Sequence, residues 1–321
     1  MATPIGRQSR RPAHAIGFIL STLLLVASPL ARAQDALTEP EIQILEFLQG
    51  SVNASSSQPS WVASIDATSA VSARVGGKLV VVSVITQKGE TRRADRPDPP
   101  GGTDGYLLLN QTIQGVQGTG EDQRNVSFGW VLEVSTLGLD EADAWLRYSS
   151  VVPAVLGAVL PSDWQMATVF KDEGDTSFAG ITEPYFSLDA SVFKSSAVEE
   201  VIELDAAEID GEESRVVWVK WRTRPKGAQA GEVANELQRA FNGSDAMPLP
   251  EDAKNSSSSV SWYWVGRDRG LVLRVEHKST TPTAAGGSID VDRTFAFSMY
   301  NETVTIPGPD AEERAAVNGE G

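Results

Sequence analysis

Residues 271–278 read Leu-Val-Leu-Arg-Val-Glu-His-Lys, which puts Leu271, Leu273, Val275 and His277 on one face of an extended chain and Val272, Arg274, Glu276 and Lys278 on the other. Strand side chains alternate with a period of two, so the segment predicts an antiparallel strand, apolar inward and wet outward. Working outward, Trp262 and Trp264 share a face of a strand over 259–265, and Phe295, Phe297 and Met299 share one over 293–299. Further strand patterns fall at 61–74, 78–87, 106–113, 125–134, 164–170, 198–204 and 215–222. A sheet wetted on one face must cover the other, and helices are the available covers.

Two segments have helical periodicity. Over 39–52, Ile42, Leu45, Phe47, Leu48 and Val52 form a stripe, with Pro40 and acids in the first turn where the helix dipole favours them. Over 139–160, Asp140, Glu141 and Asp143 precede Ala144, Trp145, Tyr148, Val152, Val155, Leu156, Val159 and Leu160. That apolar arc is too wide for a surface helix, and Pro153 kinks or divides it. The segment either lies in an ordinary core or lines a pocket with room for hydrocarbon. The expected fold class is α+β: a curved antiparallel β-sheet, a half-barrel, wrapped around short helices. Residues 89–105, rich in proline, glycine and charge, read as a solvated loop. Residues 224–258 read as a helix-containing insertion with flexible ends.

The chain has 321 residues, 41% hydrophobic, with eight Trp, enough to build a sizeable core. It contains no cysteine, which excludes disulfide scaffolds, thiol nucleophiles, Cys-ligated zinc, iron–sulfur clusters and a lipidated-Cys anchor. Residues 1–33 carry Arg7, Arg10, Arg11 and Arg32 and no acid, with an apolar run from Ile16 to Leu30 that ends in Ala31-Arg32-Ala33. This is the pattern of a cleaved signal peptide, and the run is shorter than the roughly 20 residues that cross a bilayer. The mature chain is expected to start near Gln34 and to be periplasmic or secreted. Without the four leader arginines, 23 basic residues face 43 acids, a net charge of about -20. Such a surface repels nucleic acid and anionic headgroups.

The residues favour binding over catalysis. His14 falls in the leader, so His277 is the single imidazole of the mature chain and multi-His metal sites are excluded. No Gly-x-Ser-x-Gly elbow accompanies it, and Gly101-Gly102 and Gly286-Gly287 lack the Gly-Lys-Ser/Thr of a P-loop. Asp205, Glu208, Asp210, Glu212 and Glu213 read as an acidic hairpin turn, without the spacing of a calcium loop. No catalytic residue, cofactor or metal ligand is therefore assigned. Trp218, Trp221, Trp262, Tyr263 and Trp264 suit a core, a carbohydrate platform or an acyl cavity. Asn53, Asn110, Asn125, Asn242, Asn255 and Asn301 begin Asn-x-Ser/Thr sequons.

The C-terminal stretch Thr294-Phe-Ala-Phe-Ser-Met-Tyr-Asn301-Glu-Thr-Val-Thr-Ile-Pro307, after Asp268-Arg-Gly270-Leu271 opening a strand, resembles the close of the lipoprotein- and lipid-carrier group typified by LolA and the mycobacterial LppX and LprG lipoproteins. The turn at Ile209-Asp210-Gly211 and a helix opening the mature chain fit the same layout. The resemblance implies a LolA-like half-barrel with helices against its concave face, enclosing an apolar cavity for acyl chains, in a protein that carries lipids or lipoproteins across an aqueous compartment. It implies a single such domain over 34–310, followed by a disordered tail over 311–321. The residues expected along the cavity are Trp145, Tyr148, Val152, Val155, Leu156, Val159, Leu160, Trp262, Trp264 and Leu273. The partner is then a lipid or an acylated lipoprotein, with an envelope protein also possible. The alternative is a sensory or protein-interaction domain of the same fold whose cavity is filled by side chains.

Overall fold

Thr38-Glu-Pro-Glu41 sets where the described chain first folds. The Glu41 carboxylate accepts both the Thr38 amide (2.7 Å) and its hydroxyl (2.6 Å), which fixes the first turn of helix α1 (Glu39–Ser56). The computed structural model describes residues 37–75, 77–96, 102–117, 124–139, 143–149, 162–168, 188, 190–222, 258–283 and 286–318. The leader over 1–33, nearly all of the insertion over 224–258, and Val152, Val155, Leu156, Val159 and Leu160 lie outside them.

Eleven strands follow among the described residues: β1 (Ser60–Val75), β2 (Lys78–Asp95), β3 (Thr103–Gln117), β4 (Arg124–Ser135), β5 (Asp143–Ser149), β6 (Gln165–Thr168), β7 (Val198–Ile209), β8 (Glu212–Trp221), β9 (Ser258–Gly266), β10 (Val272–Pro282) and β11 (Ser288–Ser298). They form one open curved sheet in the order β6-β5-β4-β3-β2-β1-β11-β10-β9-β8-β7, every neighbour antiparallel. Two meanders are thus joined where β1 pairs with β11, from Val62 opposite Ser298 to Val71 opposite Ile289.

Helix α1 covers one half of a single face, called here the inner face. Its Leu45, Leu48 and Val52 lie one helical turn apart and pack on Val201, Val217, Val219, Tyr263, Val265 and Val272 of β7–β10. Phe193, just after the 3-10 turn Ala190–Val192, adds its ring 5.5 Å from Trp221 and 5.4 Å from Tyr263.

Four expectations change. Residues 143–149, read as the start of a helix, are strand β5, held between β4 and β6. Of the loop expected over 89–105, residues 89–95 belong to β2 and 103–105 to β3, and Arg96 Nε lies 2.6 Å from Asp104 Oδ1. The tail expected to be disordered is helical over α2 (Ala311–Asn318), where Asp310 Oδ1 accepts the Glu313 amide and Glu313 Oε2 accepts the Asp310 amide. That reciprocal pair is a capping box, legible as Asp-x-x-Glu. Finally, the alternation over 271–278 is interrupted by a bulge between Val272 and Arg274. One extra residue turns Val272 inward with Val275 and His277, and Leu273 drops out of the inward set.

Candidate functional site: the inner face of the sheet

The strand registers place inner-face residues in rows that cross the sheet. One row is apolar over nine strands: Val217, Tyr263, Val275, Phe295, Ile65, Gly89, Leu109, Leu132 and Tyr148. Gly89 belongs there for a steric reason, since a Cβ on it would lie 1.8 Å from the Leu108 carbonyl oxygen. The next row is polar: Ser261, His277, Arg293, Ala67, Gln87 and Gln111. Beyond it, Ser259 and Ser279 continue into Val291, Ser69, Ile85, Ile113 and Phe128.

The polar row is buried and hydrogen-bonded. Trp221 Nε1 donates to Ser261 Oγ at 2.8 Å, and the same oxygen lies 2.9 Å from His277 Nδ1. Gln87 Nε2 donates to Gln111 Oε1 at 2.9 Å. The Arg293 guanidinium sits 5.9 Å from the centre of the Phe295 ring. Burial raises the phenol pKa of Tyr148 to about 12 and pushes that of Tyr263 further up, so both stay neutral in the physiological range.

The residues expected to line one cavity do not share one face of the sheet. On a helix Trp145 and Tyr148 would share a side; on β5 they point oppositely. Tyr148 packs against the inner-face cluster that includes Leu109, Leu132, Val134 and Ala144. Trp145 is buried on the outer side with Tyr106, Trp164 and Ile306, where the C-terminal segment crosses the sheet and Ser135 Oγ donates to the Pro307 carbonyl at 2.6 Å. Trp262 and Trp264 alternate with the inward Ser261, Tyr263 and Val265, so they too face outward, half-buried, with the Arg274 guanidinium 5.3 Å from the Trp264 ring centre. Leu273 is buried beside Gly266, outside the α1 cluster, because of the bulge.

What the sequence missed is the polar row. His277 was visible as an inward residue, but Ser261, Arg293, Gln87 and Gln111 become neighbours only through long-range register.

The chain is similar, at low identity, to several solved structures. Mycobacterium tuberculosis lipoprotein LppX aligns at 14% identity and a TM-score of 0.35, covering 84% of this chain and 100% of that one. LprF from Mycobacterium bovis aligns at 12% and 0.34, covering 84% and 98%, and a DUF1329 family protein from Desulfovibrio piger at 11% and 0.26, covering 84% and 96%. No family model and no curated protein matches the chain. The half-barrel therefore rests on the sheet itself, an open curved antiparallel sheet with a helix on one face.

The acidic stretch is the β7–β8 hairpin, turned at Asp210 (φ 50°) and Gly211 (φ 82°), with Glu212 and Glu213 paired to Arg269 and Arg267. Among the described residues no group of His, Asp and Glu is arranged to hold a metal, and no helix is long and apolar enough to cross a membrane. At the far end of β2, β3 and β4, a hollow of about 350 Å³ is lined by Val81, Val82, Val84, Val116 and Val126 with Gln114 and Asn125.

Proposed function

We propose that the protein is an exported, non-enzymatic carrier that binds a lipid, or the acyl part of a lipoprotein, against the inner face of its sheet. One observation carries this reading. The apolar row crosses nine strands, whereas α1 packs mainly on the strands β7, β9 and β10 at one end. The other half bears its own apolar residues, Leu107, Leu109, Leu132 and Val134, with Val71, Ile85, Ile113 and Phe128 further along, all of them buried although α1 packs elsewhere. An acyl chain laid along such a surface gains about 0.8 kcal/mol for each buried methylene, so affinity needs no specific polar contact. Export, with cleavage after Ala33, is supported by the basic cluster, the apolar run and the Ala31-Arg32-Ala33 site.

The test is mass spectrometry of organic extracts from the protein purified from its native compartment, together with titration of a fluorescent fatty-acyl probe. Co-purified lipid and saturable probe binding are expected. An extract free of lipid, with no probe binding, would leave the same fold acting as an interaction domain whose interior is filled by side chains. Recovery of the uncleaved chain in salt-washed membranes would contradict export.

A further inference from the structure

Strands β9 and β10 carry a feature that an apolar lining would not need. Ser259 and Ser279 are directly opposed across the ladder, and Thr281 follows Ser279 on the same face. All three are only 4% exposed, and their hydroxyl oxygens have no hydrogen-bond partner among the described residues. A buried hydroxyl without a partner is destabilising, and such groups in folded proteins are few. In the same two rows the neighbouring strands carry Val291, Ile289, Ile85 and Ile113, so an aliphatic side chain fits this layer of the sheet. The first of these rows also holds the buried Ser69 of β1, but the hydroxyls without a partner are those on β9 and β10, beside the row that holds Ser261 and His277.

We infer that this hydroxyl ladder seats the oxygen-bearing part of a bound acyl ester. The hydroxyls of Ser259, Ser279 and Thr281 would donate to ester carbonyl oxygens, while the hydrocarbon lies on the apolar rows toward β1–β5. Each hydroxyl is a donor aimed from one face, and an ester carbonyl is an acceptor that brings no charge into the interior. The inference rests on the lipid-binding reading and makes it specific: the ligand is an ester lipid and not a bare hydrocarbon.

The experiment compares dioleoylglycerol with squalene, a hydrocarbon without oxygen, as probes for the purified protein, its Ser259→Ala/Ser279→Ala double variant and its Thr281→Val variant. The unaltered protein is expected to prefer dioleoylglycerol. The double variant should lose about ten-fold in dioleoylglycerol affinity, as expected for two hydrogen bonds, and keep its affinity for squalene. The thermal midpoint of each ligand-free variant should be unchanged or higher, because the hydroxyls removed have nothing to bond within the chain. A lower midpoint would mean that they do, and would overturn the inference, as would undiminished dioleoylglycerol binding by both variants. Equal affinity of the unaltered protein for both probes overturns this inference alone; no binding of either removes the lipid-binding reading with it.

Discussion

At Val272 the backbone still faces Val265 of β9 but has no partner on β11, and two distant side chains take its amide and carbonyl. The bulge frees its amide, which donates to Ser55 Oγ of α1 at 2.8 Å, while the Tyr300 hydroxyl donates to its carbonyl at 2.6 Å. Ser55 passes its own hydrogen to the Ser51 carbonyl at 2.8 Å, so the chain of donors is complete. Ser55→Ala would strand a buried amide and should cost about 1–3 kcal/mol in urea unfolding, with Tyr300→Phe costing a similar amount through the carbonyl. Losses under half of that for both would mean that the bulge finds other partners. A milder case sits at the start of α1. The Thr38 hydroxyl, then the Thr38 amide, hold the Glu41 carboxyl below its ordinary range. The unfolded chain therefore takes up this proton more readily than the folded one, and the bond stabilises above the ordinary carboxylate range and fades as pH falls through it. Thr38→Ala should cost about 1 kcal/mol at neutral pH. That difference should shrink in unfolding curves taken at progressively lower pH, and a pH-independent difference would count against the Glu41 contact.

Among elements, what was legible is what local pattern alone decides. The alternating strands and α1 were placed from period and capping residues, each within a few residues of its observed ends, apart from β2, which runs eight residues past Gln87. Residues 143–149 were not, because Asp-Ala-Trp-Leu-Arg-Tyr-Ser suits a helix as well as a strand, and the deciding contacts lie far away in sequence. Arg147 Nε bonds Glu133 Oε1 of β4 at 2.9 Å, while Trp145 packs under Ile306, more than 150 residues on. Of the expected cavity residues that are described, Trp145 and Tyr148 followed the wrong period. The bulge misled in the same way, since nothing in Leu271-Val-Leu-Arg announces an extra residue. Close strand approach has a sharper sequence mark in Gly89, where any Cβ would meet the Leu108 carbonyl. Gly89→Ala must push β2 and β3 apart and should cost about 1–3 kcal/mol, the usual range for overpacking. A midpoint within a degree of the parent's would show that these strands yield without cost.

For the whole molecule, the decisive feature is the pairing of the first strand with the last, which closes two meanders into one face broader than its helix. Alternation foretold a sheet with one dry side, but register decides which residues share it, and register is set by contacts as distant as Ala67 with Arg293. Ala67 gives the test of what that face is for. It is the small residue in the middle of the polar row, flanked across the ladder by Arg293 and Gln87 and itself buried. If ligand occupies the space above it, Ala67→Phe should abolish binding of a fluorescent fatty-acyl probe and leave the ligand-free midpoint nearly unchanged, because the new ring fills room that hydrocarbon would have taken. If side chains already fill that space, the same ring has nowhere to go. Overpacking then costs about 1–3 kcal/mol, roughly 2–4 °C in midpoint per kcal/mol for a domain of this size. Reading midpoint and binding together separates the two, since lost binding at constant midpoint belongs to a carrier and a midpoint several degrees lower, in a protein that never bound the probe, belongs to a packed interaction domain.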